Sequence, residues 1–301
     1  MSVFLASTAA SAAEYPNRPV KYIVPWPPGD LEDILTRLIA EEMSKETGKP
    51  ATVVNKPGAG GIIGASEVSR ARPDGLTIGS FVADLLTTQI LSGNAPFNQD
   101  TFEPVGIFLD YPFVIAAKAD APYNNMEELA EYSKSNPVSL AHFGYQALPT
   151  AITFKAADKI GLQFSSNAPF DSINCSTLAN GDATVINTVT QTILSCLKSG
   201  DVKIIASITH ERLSLSPDVP TLKEQTGVSQ TTWNGLFVKK GTSDKVKNRI
   251  AEIAQSALKT DKVAEISANT GASVFWIGGD KAQEVISNDF ESAKDLLDYM
   301  N

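Results

Sequence analysis

The sequence predicts an α/β protein of two lobes, the first of them discontinuous. Three observations carry this. After Tyr15, short β-like runs alternate with helical periods along the whole chain, the pattern of helices layered on largely parallel sheets. At 301 residues the chain is long for one domain and suits two. Two apolar strand-like runs, 112–118 and 233–238, each follow a polar or turn-rich segment, 98–104 and 214–227. If both are hinge strands, residues 14–113 and 237–301 form the first lobe and 114–236 the second. A cleft then lies between the lobes, where ligands prefer to sit.

The strand-like runs are 21–24, 51–55, 77–81, 114–117, 139–142, 185–186, 203–208 and 235–238. The helical stretches are 34–47, 62–72, 126–135, 150–160, 190–198, 244–258 and 281–299. Ile34, Leu35, Leu38 and Ile39 form the apolar stripe of the first helix. Ser243 or Asp244 caps the helix that starts there. Gly48, Gly161 and Gly271 fall just after helical runs, as helix-ending glycines do. In such a fold ligands bind outside the carboxyl ends of the strands.

The 34 acidic residues outnumber the 25 basic ones, for a formal charge of −9 and a pI near 4.8. That excludes nucleic acid and anionic membrane as natural partners, because both favour clustered Lys and Arg. It also means that an anion site has to work through local dipoles. Residues 3–13 are small and apolar, with Ser11 and Ala13 placed like the small residues of an A-x-A-like cleavage site before Glu14. A positively charged start is missing; 1–13 reads as the trimmed remnant of an export leader, with a disordered tag or a mispredicted start as the bland alternative. No run of 18 apolar residues follows to span a membrane. Cys175 and Cys196 are the two cysteines; spacing leaves both a disulfide and two buried thiols open.

The loops after strands carry the candidate site. The first runs Val24-Pro25-Trp26-Pro27-Pro28-Gly29-Asp30-Leu31-Glu32-Asp33 into an amphipathic helix. A strand-turn-helix step presents free N–H groups and a positive helix end, a seat for an anion. Here the seat carries three carboxylates, Asp30, Glu32 and Asp33. The second loop, Asn55 through Gly60 and Gly61 to Gly64, is glycine-rich and can form an anion nest. It follows the second strand and lacks the acidic residue of a dinucleotide site; tight helix–sheet packing is the bland alternative. The third loop offers Phe143, Gly144, Tyr145, Gln146 and Thr150, where Thr150 serves equally well as a helix cap. Phe170 and Asn187 lie in two further loops.

Catalytic patterns are poor. His142 and His210 are the only histidines, and no nucleophile elbow, metal-binding His pair or phosphate-binding Lys motif is present. No metal and no cofactor are expected.

Several landmarks together resemble one family. Tyr15-Pro16-Asn17-Arg18-Pro19-Val20 followed by Val24-Pro25-Trp26-Pro27-Pro28-Gly29, then Val54-Asn55-Lys56-Pro57-Gly58-Ala59-Gly60-Gly61 and Arg72-Pro73-Asp74-Gly75, resemble the Bug, or TctC-type, solute-binding proteins of tripartite tricarboxylate transporters. Asn180-Gly181-Asp182, Pro217-Asp218-Val219-Pro220-Thr221 and Trp233-Asn234-Gly235-Leu236-Phe237 agree. The resemblance implies a type II periplasmic binding protein with two hinge-crossing strands that closes like a flytrap, and no catalysis. It implies a monomer in the periplasm that holds a small organic acid or amino-acid-like solute and delivers it to a two-component membrane permease. By position, the first loop contributes Pro28, Gly29, Asp30 and Asp33; the glycine loop Gly60 and Gly61; the third loop Gly144, Gln146 and Thr150. Asn187 stands near a polar contact position.

The departures from the family pattern point to the ligand. Asp30 replaces the second glycine of the usual first loop, Glu32 is an extra acid, and Trp26 stands where Phe is common. Extra carboxylates repel an anion more strongly as a site dries, so citrate-like polyanions are disfavoured, and a cationic group or strong donor on the ligand would offset the repulsion. The rival readings are an α/β enzyme acting on a small organic acid and a sensor of the same fold.

Overall fold

The computed structural model describes residues 15–145, 147–170 and 172–299; the expected leader and Gln146 lie outside the described residues. Along the chain the strands are β1 (Val20–Val24), β2 (Ala51–Asn55), β3 (Thr77–Val82), β4 (Phe102–Asp110), β5 (Phe113–Lys118), β6 (Ser139–His142), β7 (Ser166–Pro169), β8 (Val185–Val189), β9 (Val202–Ser207), β10 (Trp233–Lys239) and β11 (Ser273–Gly278). The helices are α1 (Leu31–Thr47), α2 (Ile62–Ser69), α3 (Ala83–Leu86), α4 (Thr88–Leu91), α5 (Met126–Ser133), α6 (Leu148–Lys159), α7 (Cys175–Ala179), α8 (Thr190–Ser199), α9 (Leu222–Thr226), α10 (Asp244–Leu258), α11 (Asp261–Thr270) and α12 (Gly279–Lys294).

The strands form two sheets, one per lobe, in the orders β11-β4-β10-β3-β1-β2 and β7-β6-β8-β5-β9. Both sheets are mixed, where largely parallel ones were expected. β1 pairs in parallel with β2 and β3, but β10 runs antiparallel to β3 and β4, and β11 to β4. In the second sheet β6 is parallel to β7 and β8, while β5 opposes β8 and β9. The reason is the double crossing. A strand that enters a lobe from the seam starts where that lobe's other strands end, so β5 and β10 must run against their neighbours.

Alternation along the strands covers both faces. In the first lobe Tyr22, Phe108 and Leu236 pack with Leu35, Ile39, Ile250 and Ile253 of α1 and α10. Their chain neighbours Ile23, Ile107 and Phe237 point to the opposite cluster, with Val68 of α2, Leu85 of α3 and Ile286 of α12. In the second lobe Val114 and Ile186 face Leu178 and Ile193 of α7 and α8, while Ile115 and Val185 face Leu129 of α5 and Ile152 of α6.

Several boundaries differ from the sequence reading. β10 starts at Trp233 and lies whole in the first sheet, whereas a lobe boundary at 236 would divide it; β5 already begins in the second sheet at Phe113. β4 is not among the strand-like runs of the sequence, because Pro104 and Gly106 break its pattern. A Cβ on Gly106 would stand 2.3 Å from Cζ2 of Trp276, so this glycine makes room for an indole laid over the strand. β7 is exposed along its length, and β11 is half-buried and exposed, so neither shows a clean apolar alternation. α1 begins three residues earlier than its apolar stripe, because Asp30 takes the extended cap position and Glu32 and Asp33 fill the first turn, at the positive end of the helix dipole. α12 ends at Lys294, and the chain after it reaches the second lobe: the Tyr299 hydroxyl donates to Asp158 Oδ2 at 2.9 Å, on α6.

Cys175 and Cys196 form a disulfide that joins α7 to α8 across 21 positions. Closing a loop of that length constrains the unfolded chain by about 3 kcal/mol. Replacing both cysteines with serine should lower the unfolding free energy by about that amount in a urea titration, while a loss below about 0.5 kcal/mol would show that helix packing alone holds α7 in place.

Candidate functional site

The crossings bring the loops after β1, β3, β4, β6 and β8 to the seam. β4 passes to β5 through Tyr111 and Pro112, and the return segment enters β10 after Thr232. The two crossings run side by side, the Tyr111 N–H donating to the Thr232 carbonyl at 2.9 Å. The register sets Asp110 opposite Trp233, Val82 opposite Asn234, and Phe113 opposite Val189. The ends of β3, β4 and β8 therefore meet the starts of β10 and β5 at one level.

A cavity of about 270 Å³ opens there, small for a ligand pocket. The first lobe supplies Trp26, Asp30, Leu31 and Glu32 from the first loop, and Val82 and Asp84 from the end of β3. The crossings supply Tyr111, Phe113 and Thr232, and the second lobe Phe143, Ala147, Pro149, Val189 and Gln191. Tyr111, Phe113 and Phe143 form a continuous aromatic wall, with ring centroids 6.1 and 5.8 Å apart. Among the described residues, three carboxyl groups and no basic side chain line the cavity.

The first loop is held by Asp33, which does not line the cavity. Asp33 is buried and accepts from the Gly29 N–H at 2.9 Å, from Arg37 Nε and a terminal Arg37 nitrogen at 2.9 Å each, and from Asn55 Nδ2 at 2.8 Å. Asn55 Nδ2 also donates to the Trp26 carbonyl at 3.0 Å. Burial pushes the Asp33 carboxyl up, but these hydrogen bonds and the Arg37 charge outweigh it and hold it below its ordinary value. Asp33 thus fixes the loop that presents Trp26 and Asp30.

The three acids on the wall shift the other way. Glu32 is 3% exposed and accepts from the Tyr111 hydroxyl at 2.5 Å. Burial raises its carboxyl to about 7, assisted by the charges of Asp30 and Asp33 and opposed by the hydrogen bonds from Tyr111 and its own N–H. Burial raises Asp84 to about 6 against hydrogen bonds from its own N–H and that of Leu148, across the seam. Asp30 is raised by partial burial and by the charge of Asp33.

The third loop is stiffened from within. The buried His142 imidazole accepts the Gly144 N–H at Nδ1, 3.1 Å away, and its Nε2 lies 3.2 Å from Asn167 Oδ1. Burial lowers the basicity of this ring by more than those hydrogen bonds raise it, so His142 is a neutral loop anchor. The N–H groups of Ala147 and Thr150 are taken by the carbonyls of Gly144 and Ala147. With the Gly29 N–H on Asp33 and the Gly144 N–H on His142, several of the amides expected to seat an anion in these two loops already have partners.

Of the residues singled out from the sequence, Trp26, Asp30, Leu31, Glu32 and Phe143 line the cavity. Pro28 and Gly29 lie in the exposed outer part of the first loop. Gly60 and Gly61 pack against Gln89 and Leu85. Tyr145 is exposed, its hydroxyl donating to Asn167 at 2.8 Å. Thr150 is fully buried off the cavity wall, Phe170 packs on the second-lobe core, and Asn187 donates to the Pro149 carbonyl and to Thr153, tying β8 to α6. Asp84, Tyr111, Phe113 and Thr232 were not foreseen. Each sits within two residues of a strand end, the one signal that would have found them.

Two lobes, a double crossing and a cavity walled by both lobes define a solute-binding protein of the periplasmic type. The family model described as "Tripartite tricarboxylate transporter family receptor" matches residues 35–301, and the chain belongs to that family. It is similar to a UPF0065 protein of Bordetella pertussis, 28% identical over 287 residues that cover 90% of this chain and 86% of the relative. Among solved structures, a TctC solute-binding protein from Polaromonas superposes with a TM-score of 0.83 at 27% identity, over 94% of this chain and 99% of that one. MatC of Rhodopseudomonas palustris, solved with bound malate, does so at 0.71 and 25% identity, over 94% and 100%. Among the described residues no helix is long and apolar enough to cross a membrane.

Two measurements probe the site. Asp33→Ala removes the hydrogen bonds that Gly29, Arg37 and Asn55 make to a buried charge. It should lower the unfolding free energy by roughly 2–4 kcal/mol; an unchanged urea midpoint would mean that Asn55 and Arg37 hold the loop unaided. Glu32 keeps its proton up to about pH 7 in the folded chain against a reference value of 4.5. Between those values the folded chain binds more protons than the unfolded one, so this group's contribution to stability falls as pH rises from 4.5 to about 7 and is flat above. At about 1.4 kcal/mol per unit the total is roughly 3 kcal/mol. Glu32→Gln should therefore melt above the wild type at about pH 8, with the gap closing by pH 4.5; a gap independent of pH would show that Glu32 is ionised throughout.

Proposed function

We propose that this chain captures a small carboxylate-bearing solute in the cavity between its lobes, acts as a monomer in the periplasm, and delivers the loaded lobes to a two-component membrane permease. The observation that carries the reading is the composition of the cavity wall, drawn from the first lobe, both crossings and the second lobe. A solute there touches both lobes and holds them closed, which turns occupancy into a shape that a permease can recognise. Malate in the 25% identical MatC structure supports a carboxylate as part of the cargo. The first turn of α1 supports it through its dipole, which favours a negative group, although the Gly29 and Glu32 N–H groups there are already taken by the Asp33 and Glu32 carboxyls.

The test is a thermal-shift screen with organic acids and amino acids, paired with small-angle scattering. A true solute at about a hundredfold excess over its Kd stabilises the folded chain by about 2.7 kcal/mol and narrows the particle as the lobes clamp. Stabilisation without any change in shape would disconnect binding from lobe closure.

A further inference from the structure

We infer that the solute carries a protonated amine, seated between the Asp84 and Glu32 carboxyls and the aromatic faces of Trp26 and Tyr111. This rests on the reading of the cavity as the solute site. Three independent observations converge on it.

The first is charge. Asp30, Glu32 and Asp84 approach from two elements of the first lobe, and among the described residues neither the crossings nor the second lobe places a Lys, Arg or His on the wall. Arg37, on the same helix as Glu32, is committed to Asp33 and Asn55. A dicarboxylate would add two negative charges to this set, whereas an ammonium group is attracted by each of these acids that is ionised and favours their ionisation.

The second is the set of unpaired polar atoms. Thr232 is 5% exposed and lines the cavity, yet its Oγ1 has no hydrogen-bond partner among the described residues. Asp84 Oδ1 and Trp26 Nε1, on the same wall, are also buried without partners there. Buried polar atoms in native proteins are nearly always paired. The Asp84 oxygen and the Thr232 hydroxyl can each accept a hydrogen bond, which an ammonium N–H supplies. The Trp26 indole N–H donates, and suits the carboxylate of the same solute. The orphaned set matches a zwitterion drawn in between the lobes.

The third is the aromatic lining. Trp26, Tyr111, Phe113 and Phe143 line the cavity beside the acids, and an aromatic face attracts a cation within about 6 Å. They also accommodate the apolar body of the solute without demanding further polar partners. Glu32 belongs to this frame, because the Tyr111 hydroxyl that orients it comes from the first crossing.

The experiment compares full-length protein against the protein amino acids, 4-aminobutanoate, malate, succinate and simple monocarboxylates by thermal shift. The best amino acid then goes to calorimetry beside its des-amino acid and its decarboxylated amine. The expected result is that an amino acid binds, that the des-amino acid binds about a hundredfold more weakly or worse, and that Asp84→Asn weakens the amino acid at least about tenfold without weakening the des-amino acid. If Asp84→Asn fails to fold, the comparison of amino acid with des-amino acid on the native protein decides alone. Malate, succinate or the des-amino acid binding as tightly as any amino acid would overturn the amine and leave the carboxylate reading standing. The bare amine binding as tightly as the zwitterion would uphold the amine and overturn the carboxylate. Silence across the whole panel would overturn both.

Discussion

The structure depends on the double passage of the chain between its lobes. Because β5 and β10 each enter a sheet from the seam, each must run against the strands it joins. The same constraint brings the carboxyl ends of the remaining central strands to the seam, and with them the loops that follow. The hydrogen bond from the Tyr111 N–H to the Thr232 carbonyl locks the two passages together. Tyr111 and Thr232 also line the cavity, so the two crossings and the cavity wall share residues.

Electrostatics divides the first loop into two jobs. Asp33 is buried but fully engaged by Gly29, Arg37 and Asn55, and its charge is favoured. Glu32, next to it in sequence, faces the cavity with one neutral side-chain donor, and its charge is disfavoured. Adjacent helical positions point about 100° apart, which is enough to send one acid to a guanidinium and the other to a dry pocket. Asp84 repeats the second situation at the end of β3. The cavity wall thus holds two acids, Glu32 and Asp84, whose charge burial disfavours.

The sequence reading was most reliable where local patterns are strong. β2, β6 and α10 have the bounds read from periodicity and capping. It failed where the local signal is broken or weak: β4 carries Pro104 and Gly106, and β7 is an exposed edge. The site divides in the same way. Trp26, Asp30, Leu31, Glu32 and Phe143 were visible because they sit in conspicuous strand-to-helix loops. Thr150 and Asn187 sat in equally suggestive positions, yet both are buried off the cavity wall, and Asn187 stitches β8 to α6, a distinction that no spacing rule makes.

By itself the sequence determined the α/β alternation, the family, the two crossings and the excess of acid in the first loop, since each is written in contiguous residues. Only the tertiary structure decided which acids face the cavity, that Asp84, Tyr111 and Thr232 join them from distant segments, and that Cys175 bonds Cys196. The physical reason is that charge and hydrogen bonding in a cavity depend on burial and on partners brought together by folding, whereas periodicity and capping depend only on neighbours along the chain.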